Sequence, residues 1–343
     1  MEKKVRILSI DGGGIRGIIP AVVLEYIENK LKEKSGNPNA VLQDYFDMIA
    51  GTSTGGILTC FYLHPSRFSA GKAIELYAKN GKEIFSKKGW IFNKVVSAFS
   101  PKYKIDGLEK ALKDEFKDCK LSQVQAGKHS LVTAYDIVNR KSVLFTVPEA
   151  RESVSRDFYL KDIARATSAA PTYFEPASIK SIDHHLHKYK DDDGLRYLID
   201  GAMFANDPSL CALVEARKTK FEKCDRPTIK NVYIVSIGTG KESPALNPKK
   251  ASNWGVASWA VPVVDILMTA SPEVVSYQLT QLFDVSGCSD CYVRLDPELR
   301  KASPEMDDVS DKNIKNLEEA GTYYVNQNKG KLDKIVEDII ANN

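Results

Sequence analysis

Two glycine-rich turns, each lying between an apolar run and a helical pattern, constrain the fold of this 343-residue chain more than any other feature. Val5–Ile10 is an apolar run followed by a turn at 11–17, and Tyr45–Ala50 is a second run followed by a turn at Gly51–Gly55. Short runs that are apolar on both faces are typical of buried parallel strands. The order strand, turn, helix therefore predicts an α/β fold around a mainly parallel sheet.

The rest of the chain continues this alternation. The first helical pattern runs from about Pro20 to Lys34, and others lie at 57–63, 69–85, 105–117, 159–169, 207–219 and 259–283. Strand-like runs lie at 129–138, 142–147, 195–199, 230–237 and 291–295, whereas the polar stretch 177–194 is predicted to be a loop. The tail, 310–341, predicts one or two amphipathic helices. Alternating strands and helices favour a sheet covered by helices on both faces.

Composition excludes several classes of protein. The formal net charge is +3 and the two signs are mixed along the chain, which argues against a nucleic-acid partner. Six cysteines are sparse for a disulfide-stapled secreted domain. The apolar run Val5–Ile10 is too short for a signal-peptide core, and uncharged Ala251–Val264 is too short to span a bilayer. We expect a cytoplasmic protein whose contact with a membrane would be peripheral.

The pentad Gly51-Thr52-Ser53-Thr54-Gly55 fits the G-x-S-x-G nucleophile elbow. Small residues at its ends let a strand and a helix approach closely, and the serine hydroxyl is exposed where the strand ends. The N-terminus of the next helix then favours negative charge beside the serine. The same pentad also occurs in plain turns, but here the required apolar strand and helix flank it. Ser53 is the candidate nucleophile.

The turn Asp11–Gly17 (DGGGIRG) fits two kinds of site. It matches G-x-G-x-x-G of dinucleotide-binding folds, but such a site needs an acidic residue at the end of the second strand. Glu33 has roughly that spacing but lies inside the helical pattern. We favour an oxyanion hole, in which Arg16 adds positive charge or braces the loop. The backbone N–H groups facing the ester oxyanion would be those of Gly12, Gly13 and Gly14.

A serine hydroxyl needs a base, and in α/β-hydrolases the chain order is Ser, Asp, His. Asp200 follows the apolar run 197–199 and precedes Gly201-Ala202, which leaves room beside its carboxylate. No histidine follows Asp200 in the chain. The five histidines are His64, His129, His184, His185 and His187. Asp200 could take the serine proton directly, although an aspartate is also common in a turn after a strand.

Other polar and aromatic features have both a functional and a structural interpretation. The loop with His184, His185, His187 and Asp191–Asp193 could bind a cation or be simply solvated. The pair Cys288-x-x-Cys291 lacks the second pair that structural zinc needs, so we expect no metal. Lysines and aromatic residues at 86–104 suit a lipid surface or a basic loop with its rings in the core. The stretch Trp254–Met268 could face lipid, but a core helix kinked or begun at Pro262 is favoured.

Three of these segments together resemble the signature blocks of patatin-like phospholipases: Asp11–Gly17 (DGGGIRG), Gly51–Gly56 (GTSTGG) and Asp200–Ala202 (DGA). Two further segments agree, ATSAAPTYF at 166–174 and SIGTG at 236–240. Five separated matches are much harder to obtain by chance than one. The resemblance covers roughly residues 5–300 of what we expect to be a single domain over 1–343. Residues 301–343 match no motif and would form a C-terminal helical extension.

The resemblance implies a three-layer α/β/α fold with a central, mainly parallel sheet, and a lipid acyl hydrolase that needs no metal or cofactor. It implies a Ser–Asp dyad, with Ser53 as nucleophile and Asp200 as base, and an oxyanion hole formed by Gly12–Gly14, Arg16 and the N–H of Thr54. Phospholipids, lysophospholipids or galactolipids would be cleaved through an acyl-serine.

Two alternatives to the hydrolase remain at this point. One is a non-catalytic storage or binding protein with the same fold, and the other is a dinucleotide-dependent oxidoreductase built on GGGIRG. A regulatory ligand or an oligomer is also left open by the sequence.

Overall fold

The computed structural model of the protein describes residues 3–85, 101–183, 195–241 and 246–343. One eight-stranded sheet forms its centre. The strands are β1 (Val5–Ile10), β2 (Met48–Gly51), β3 (His129–Asp136), β4 (Lys141–Thr146), β5 (Ala177–Lys180), β6 (Leu195–Asp200), β7 (Val232–Ile237) and β8 (Tyr292–Leu295). Hydrogen-bonded neighbours follow the order β5-β6-β3-β2-β1-β7-β8, in which β2 and β6 pair with different halves of β3, and β4 also pairs with β3.

The middle of the sheet is parallel and completely buried. β1 pairs in parallel with β2 on one side and with β7 on the other, and β8 and β3 extend this parallel set. Every residue of β1, β2 and β7 is buried. β4, β5 and β6 make the antiparallel pairs. The expected α/β fold with a central, mainly parallel sheet is confirmed.

Helices cover both faces of this sheet in a three-layer arrangement. The helices are α1 (Ile18–Ser35), α2 (Leu42–Tyr45), α3 (Thr54–Tyr62), α4 (Ala70–Ile84), α5 (Asp106–Phe116), α6 (Val147–Glu152), α7 (Leu160–Thr167), α8 (Ala202–Ala205), α9 (Ser209–Ala216), α10 (Pro248–Ala251), α11 (Val256–Val285), α12 (Asp311–Gln327) and α13 (Lys329–Ala341). α1 packs against α4, α12 and α13, so the predicted tail helices belong to the same packed body. No helix in the described ranges is long and apolar enough to cross a bilayer.

β2 and β6 share one edge of β3, and this arrangement positions the site. β2 pairs in parallel with the first half of β3 and ends with Gly51 opposite Val132. β6 pairs antiparallel with the second half and ends with Asp200 opposite Ala134. The two strands therefore run towards each other, and their C-terminal ends meet on either side of Thr133.

Three sequence predictions were wrong in detail. The second strand begins at Met48 rather than Tyr45, because Leu42–Tyr45 forms a helical turn in which Asp44 Oδ2 accepts from the Val41 N–H at 2.9 Å. The predicted loop 177–194 contains β5, whose residues alternate between buried and exposed; 184–194 lie outside the described residues. α11 begins before Pro262 and continues through it, and most of its described side chains are exposed; the buried ones are Val264, Met268, Leu279 and Phe283.

Candidate active site

Ser53 occupies a strained turn between β2 and α3. Its backbone has φ 55° and ψ −122°, a conformation that residues other than glycine rarely adopt. A Cβ at Gly51 would lie 2.0 Å from the Gly55 carbonyl oxygen, and one at Gly55 would lie 2.1 Å from the Ile10 oxygen. Only glycine fits at either position. The predicted elbow geometry is present, with Ser53 at the N-terminus of α3.

The strained Ser53 backbone is held by a side chain from another helix. The Ser53 N–H donates to Thr167 Oγ1 at 2.8 Å, from the last residue of α7. On the β3 side, Thr52 Oγ1 lies 2.7 Å from Thr133 Oγ1 and donates to the Ala205 carbonyl at 2.6 Å. These bonds fix both ends of the turn, so the serine is positioned before any substrate binds.

The structure brings Asp200 against Ser53. The Asp200 side chain is fully buried, and its Oδ1 accepts from the Ala202 N–H at 2.8 Å. Burial raises the pKa of Asp200 to about 7, although contact with the Ser53 hydroxyl and the Ala202 N–H each lower it. Oδ2 makes no well-formed hydrogen bond to any described residue. Catalytic hydrogen bonds are often loose before substrate binds, so a buried carboxylate that contacts a serine hydroxyl and has one unbonded oxygen is suited to accept its proton.

The two histidines in the described ranges lie elsewhere. His64 stacks on Phe68 with ring centroids 4.8 Å apart, and its Nδ1 accepts from the Ser66 N–H at 3.1 Å. His129 packs edge-on against Phe221. Neither hydrogen bonds to Ser53 or Asp200. His184, His185 and His187, with the cation site considered for their loop, lie outside the described residues.

The glycine loop offers fewer free donors than the sequence predicted. The Gly12 N–H already donates to the Asn206 carbonyl at 3.2 Å. Among the described residues no acceptor is bonded to the N–H of Gly13 or of Gly14. Gly14 has φ +59° and its missing Cβ would lie 2.2 Å from the Met306 oxygen. The available donors are therefore the N–H groups of Gly13, Gly14 and Thr54. Thr54 is the first residue of α3, so its N–H has no partner within the helix.

Arg16 braces this loop. Its Nε donates to the Gly13 carbonyl at 3.3 Å and its Nη1 to the Pro304 carbonyl at 3.4 Å. The side chain is buried, and burial lowers its pKa. Of the two roles considered from the sequence, the structure favours bracing, because the guanidinium is occupied with backbone oxygens. Thr54 is held in a similar way by a short hydrogen bond between its hydroxyl and that of Tyr77.

A buried ionic cluster, which the sequence did not predict, holds Asp11, the first residue of the glycine loop. Arg294 on β8 donates to both carboxylate oxygens of Asp11, at 2.9 and 2.6 Å, and to Asp207 Oδ2 at 3.2 Å. Burial raises the pKa of Asp11 to about 7, and Arg294 opposes that rise. Asp207 is fully buried and also accepts from the Ser209 N–H at 2.9 Å. Asp11, which begins the glycine loop, is thus bonded to a side chain of β8, at the edge of the sheet.

A mainly apolar pocket opens beside Ser53. It encloses about 600 Å³, including its mouth. Ser53, Thr54 and Gly14 lie on its wall, next to side chains from α3, α4, α5, α11 and the segment 168–174. The apolar lining consists mainly of Ile15, Ile57, Ile84, Phe85, Leu108, Tyr173, Phe174, Met268 and Met306. A pocket of this kind accommodates a hydrocarbon chain whose carbonyl end reaches the serine.

The remaining sequence candidates are not part of this site. Glu33, considered for a ribose, lies in α1, is largely exposed and pairs with Lys30 at 2.7 Å. Cys291 Sγ accepts from Lys4 Nζ at 2.7 Å, and no three potential metal ligands come together in the described ranges. Most of the stretch 86–104 lies outside the described residues; Tyr103, at its end, is buried.

The chain is similar to known proteins over most of its length. The family model described as patatin-like phospholipase matches residues 8–212. Patatin-like protein 2 of Oryza sativa subsp. indica is 33% identical over 359 residues, covering 96% of this chain and 86% of the relative. Patatin-T5 of Solanum tuberosum is 32% identical over 346 residues, with the same coverage.

Among solved structures, human GIVD cytosolic phospholipase A2 is 12% identical to this chain, with a TM-score of 0.48. The match covers 100% of this chain and 61% of the phospholipase chain.

Proposed function

The chain belongs to the patatin-like phospholipase family, and from this premise we propose that it cleaves fatty-acyl esters of phospholipids or lysophospholipids through a Ser53–Asp200 dyad. Membership of the family supports a lipid acyl hydrolase. The observation that carries the finer proposal is the meeting of a strained serine and a buried carboxylate, one oxygen of which is free, at the facing ends of β2 and β6.

The first half of the reaction forms an acyl-serine. Ser53 Oγ attacks the ester carbonyl carbon while its proton moves to the Asp200 carboxylate. The carbonyl oxygen becomes an oxyanion, which the N–H groups of Gly13, Gly14 and Thr54 would stabilise. The tetrahedral intermediate then collapses, the carbon–oxygen bond to the alcohol breaks, and the lyso-lipid leaves with the proton from Asp200.

The second half returns the enzyme to its starting state. Water loses a proton to Asp200 and attacks the acyl-serine carbonyl, through the same oxyanion site. Breakage of the bond to Oγ releases the fatty acid, and Ser53 regains its proton from Asp200. One carboxylate thus serves as base and then as acid in each half, without a metal or a cofactor entering either step.

The pocket supports a lipid rather than a small polar ester as substrate. Side chains such as Phe85, Phe174 and Met268 line it, and most of its lining surface is apolar. Burial of each methylene group of an acyl chain against such a lining contributes about 0.8 kcal/mol. A long acyl chain therefore gains binding energy that a short one cannot.

Contact with a membrane surface is part of the proposal. α11 carries exposed apolar side chains that fall on one helix face, at positions i, i+3, i+4, i+11 and i+14: Val263, Ile266, Leu267, Val274 and Tyr277. The same helix contributes Met268 to the pocket. An apolar helix face beside a lipid-binding pocket suits an interfacial contact. Liposome sedimentation of the double variant Leu267→Glu/Tyr277→Glu tests this: binding equal to that of the wild type would contradict it.

One simple experiment distinguishes the non-catalytic alternative from the hydrolase. The wild type and the Ser53→Ala variant are incubated with phospholipids that carry a different acyl chain at each position, and the released fatty acids are identified by mass spectrometry. We expect release by the wild type and none by Ser53→Ala. Ser130→Ala, which changes a buried serine on β3 that does not line the pocket, is the matched control and should retain activity. Absence of release by the wild type would favour a binding or storage protein.

A further inference from the structure

A second cavity lies behind the active-site pocket and shares one wall with it. It has a volume of about 330 Å³, including its opening to solvent, and, like the pocket, is lined by Ile57, Tyr77, Ile84 and Leu108. Beyond that wall it continues between α4 and α5. We call this space the distal cavity and define it by the residues that line it alone: Leu76, Asn80, Ala111, Leu112, Glu115 and Phe116.

The distal cavity is apolar along most of its length. Four of the six residues that define it have hydrocarbon side chains, and Asn80 and Glu115 are the exceptions. Glu115 accepts a salt bridge from Lys72 at 3.0 Å, and both side chains reach solvent. Glu115 therefore lies at the surface end and Asn80 is only partly buried, while the other four residues offer a hydrocarbon chain apolar contacts.

We propose that the distal cavity holds the far end of a long acyl chain whose carbonyl lies at Ser53, and that it makes the enzyme selective for long chains. This rests on the proposed function. A short chain ends within the first pocket. A longer one has to pass between Ile57, Ile84 and Leu108, the part of the shared wall that is formed by flexible aliphatic side chains.

The fourth wall residue does not move in this scheme. Tyr77 is anchored through its hydroxyl to Thr54, both to the side chain and to the carbonyl oxygen, the latter at 3.3 Å. Rotamer changes of the aliphatic side chains are therefore sufficient to admit a chain, and the backbone of the active-site turn stays in place. Chain length would be recognised without disturbing the catalytic geometry.

The chemistry predicts how rate should depend on chain length. Each methylene buried in the distal cavity increases kcat/KM about fourfold, which corresponds to its transfer free energy. Filling that cavity should therefore remove the advantage of long chains and leave short chains unaffected. A change that damaged the catalytic groups would lower the rate for every length.

The test measures kcat/KM for p-nitrophenyl butanoate, octanoate, dodecanoate and hexadecanoate. Ala111→Phe fills the distal cavity from α5, and Leu76→Trp fills it from α4. Ala78→Phe introduces the same phenyl group on α4 at an exposed position outside both cavities and is the matched control. Thermal melting reports whether each variant is folded. Because the two filling variants change different helices, one of them can still be tested if the other does not fold.

We expect both filling variants to lose at least about tenfold in kcat/KM for hexadecanoate, the equivalent of two buried methylene groups, with butanoate unchanged and Ala78→Phe like the wild type. A folded filling variant that cleaves hexadecanoate at the wild-type rate would overturn the inference. So would an equal loss at all four lengths. Failure of the wild type to cleave any of the esters is a different result, since it would overturn the proposed function as well.

Discussion

Arg294 Nη1 and Nη2 donate in parallel to Oδ1 and Oδ2 of Asp11, the residue from which the glycine loop begins. The same guanidinium reaches Asp207, which is fully buried. Bidentate pairing of this kind fixes direction as well as distance. The position of the loop that faces the substrate is thus set by a residue 283 positions later in the chain.

Replacing Arg294 by Gln should destabilise the protein strongly. Two buried carboxylates, Asp11 and Asp207, would lose their cation, and breaking such a pair costs about 3–5 kcal/mol. Guanidinium-induced unfolding measures the change in the free energy of unfolding. Arg300→Gln is the control, because Arg300 is exposed and lies over the Tyr323 ring. A loss below about 1 kcal/mol for Arg294→Gln would show that the cluster is not a structural anchor.

Thr167 should matter for rate through the position of Ser53 alone. Thr167→Val removes the acceptor of the Ser53 N–H while keeping the shape of the side chain, and an unpaired buried N–H costs about 1–3 kcal/mol. We expect kcat to fall about tenfold or more and KM to change little. Thr167→Ser restores the hydroxyl and should restore kcat. A Val variant as active as the Ser variant would contradict the positioning role.

Gly14 and Gly36 separate the two reasons for which a glycine is needed. Both have positive φ, +59° and +69°, but a Cβ at Gly14 meets the Met306 oxygen at 2.2 Å, whereas nothing lies within 4 Å of one at Gly36. Gly36→Ala should cost about 1 kcal/mol of stability and no activity. Gly14→Ala should also displace the oxyanion loop, with a loss of about 10²-fold in kcat. Equal activities of the two variants would argue against a catalytic role of the loop.

Asp200→Asn should make the protein more stable and inactive. The pKa of Asp200 is raised to about 7 by burial, whereas that of an unfolded aspartate is about 3.9. The protonated carboxyl contributes stability below the lower value, and this contribution is lost as pH rises to the higher one. The stability advantage of Asn should therefore grow between about pH 4 and 7 and stay constant above.

Asp11 also has a pKa raised to about 7. Because Asp11 is present in both the wild type and Asp200→Asn, its titration cancels in the comparison, and the difference reports on Asp200. The measurement is the difference in the free energy of unfolding between wild type and Asp200→Asn as a function of pH. A difference that does not change with pH would mean that Asp200 does not titrate in this range.

The local parts of this site could be predicted from the sequence because they are encoded by neighbouring residues. The elbow around Ser53 needs two glycines between a strand and a helix, and all three features lie within a short segment. Asp200 was found through its place at a strand end. The resemblance of five segments to one family then joined the two residues, which spacing alone does not do.

The distant parts depend on pairings between segments far apart in the chain. Arg294, Thr167 and Asn206 carry no local signal for their contacts with Asp11, Ser53 and Gly12. The occupied Gly12 N–H could not be foreseen, because its acceptor is a backbone oxygen of another segment. In β5 a signal existed, the alternation of Ala177 and Ile179 with polar residues, but the surrounding polar stretch obscured it.

The most direct test of the account is the rate at which a fluorophosphonate modifies Ser53 in the wild type and in Asp200→Asn. We expect a single adduct on the peptide that contains Ser53, formed by the wild type at a rate that rises with pH through an apparent pKa near 7. Asp200→Asn, although folded and more stable, should react about 10²–10⁴-fold more slowly. Modification of another residue, or a rate for Asp200→Asn equal to that of the wild type, would contradict the dyad.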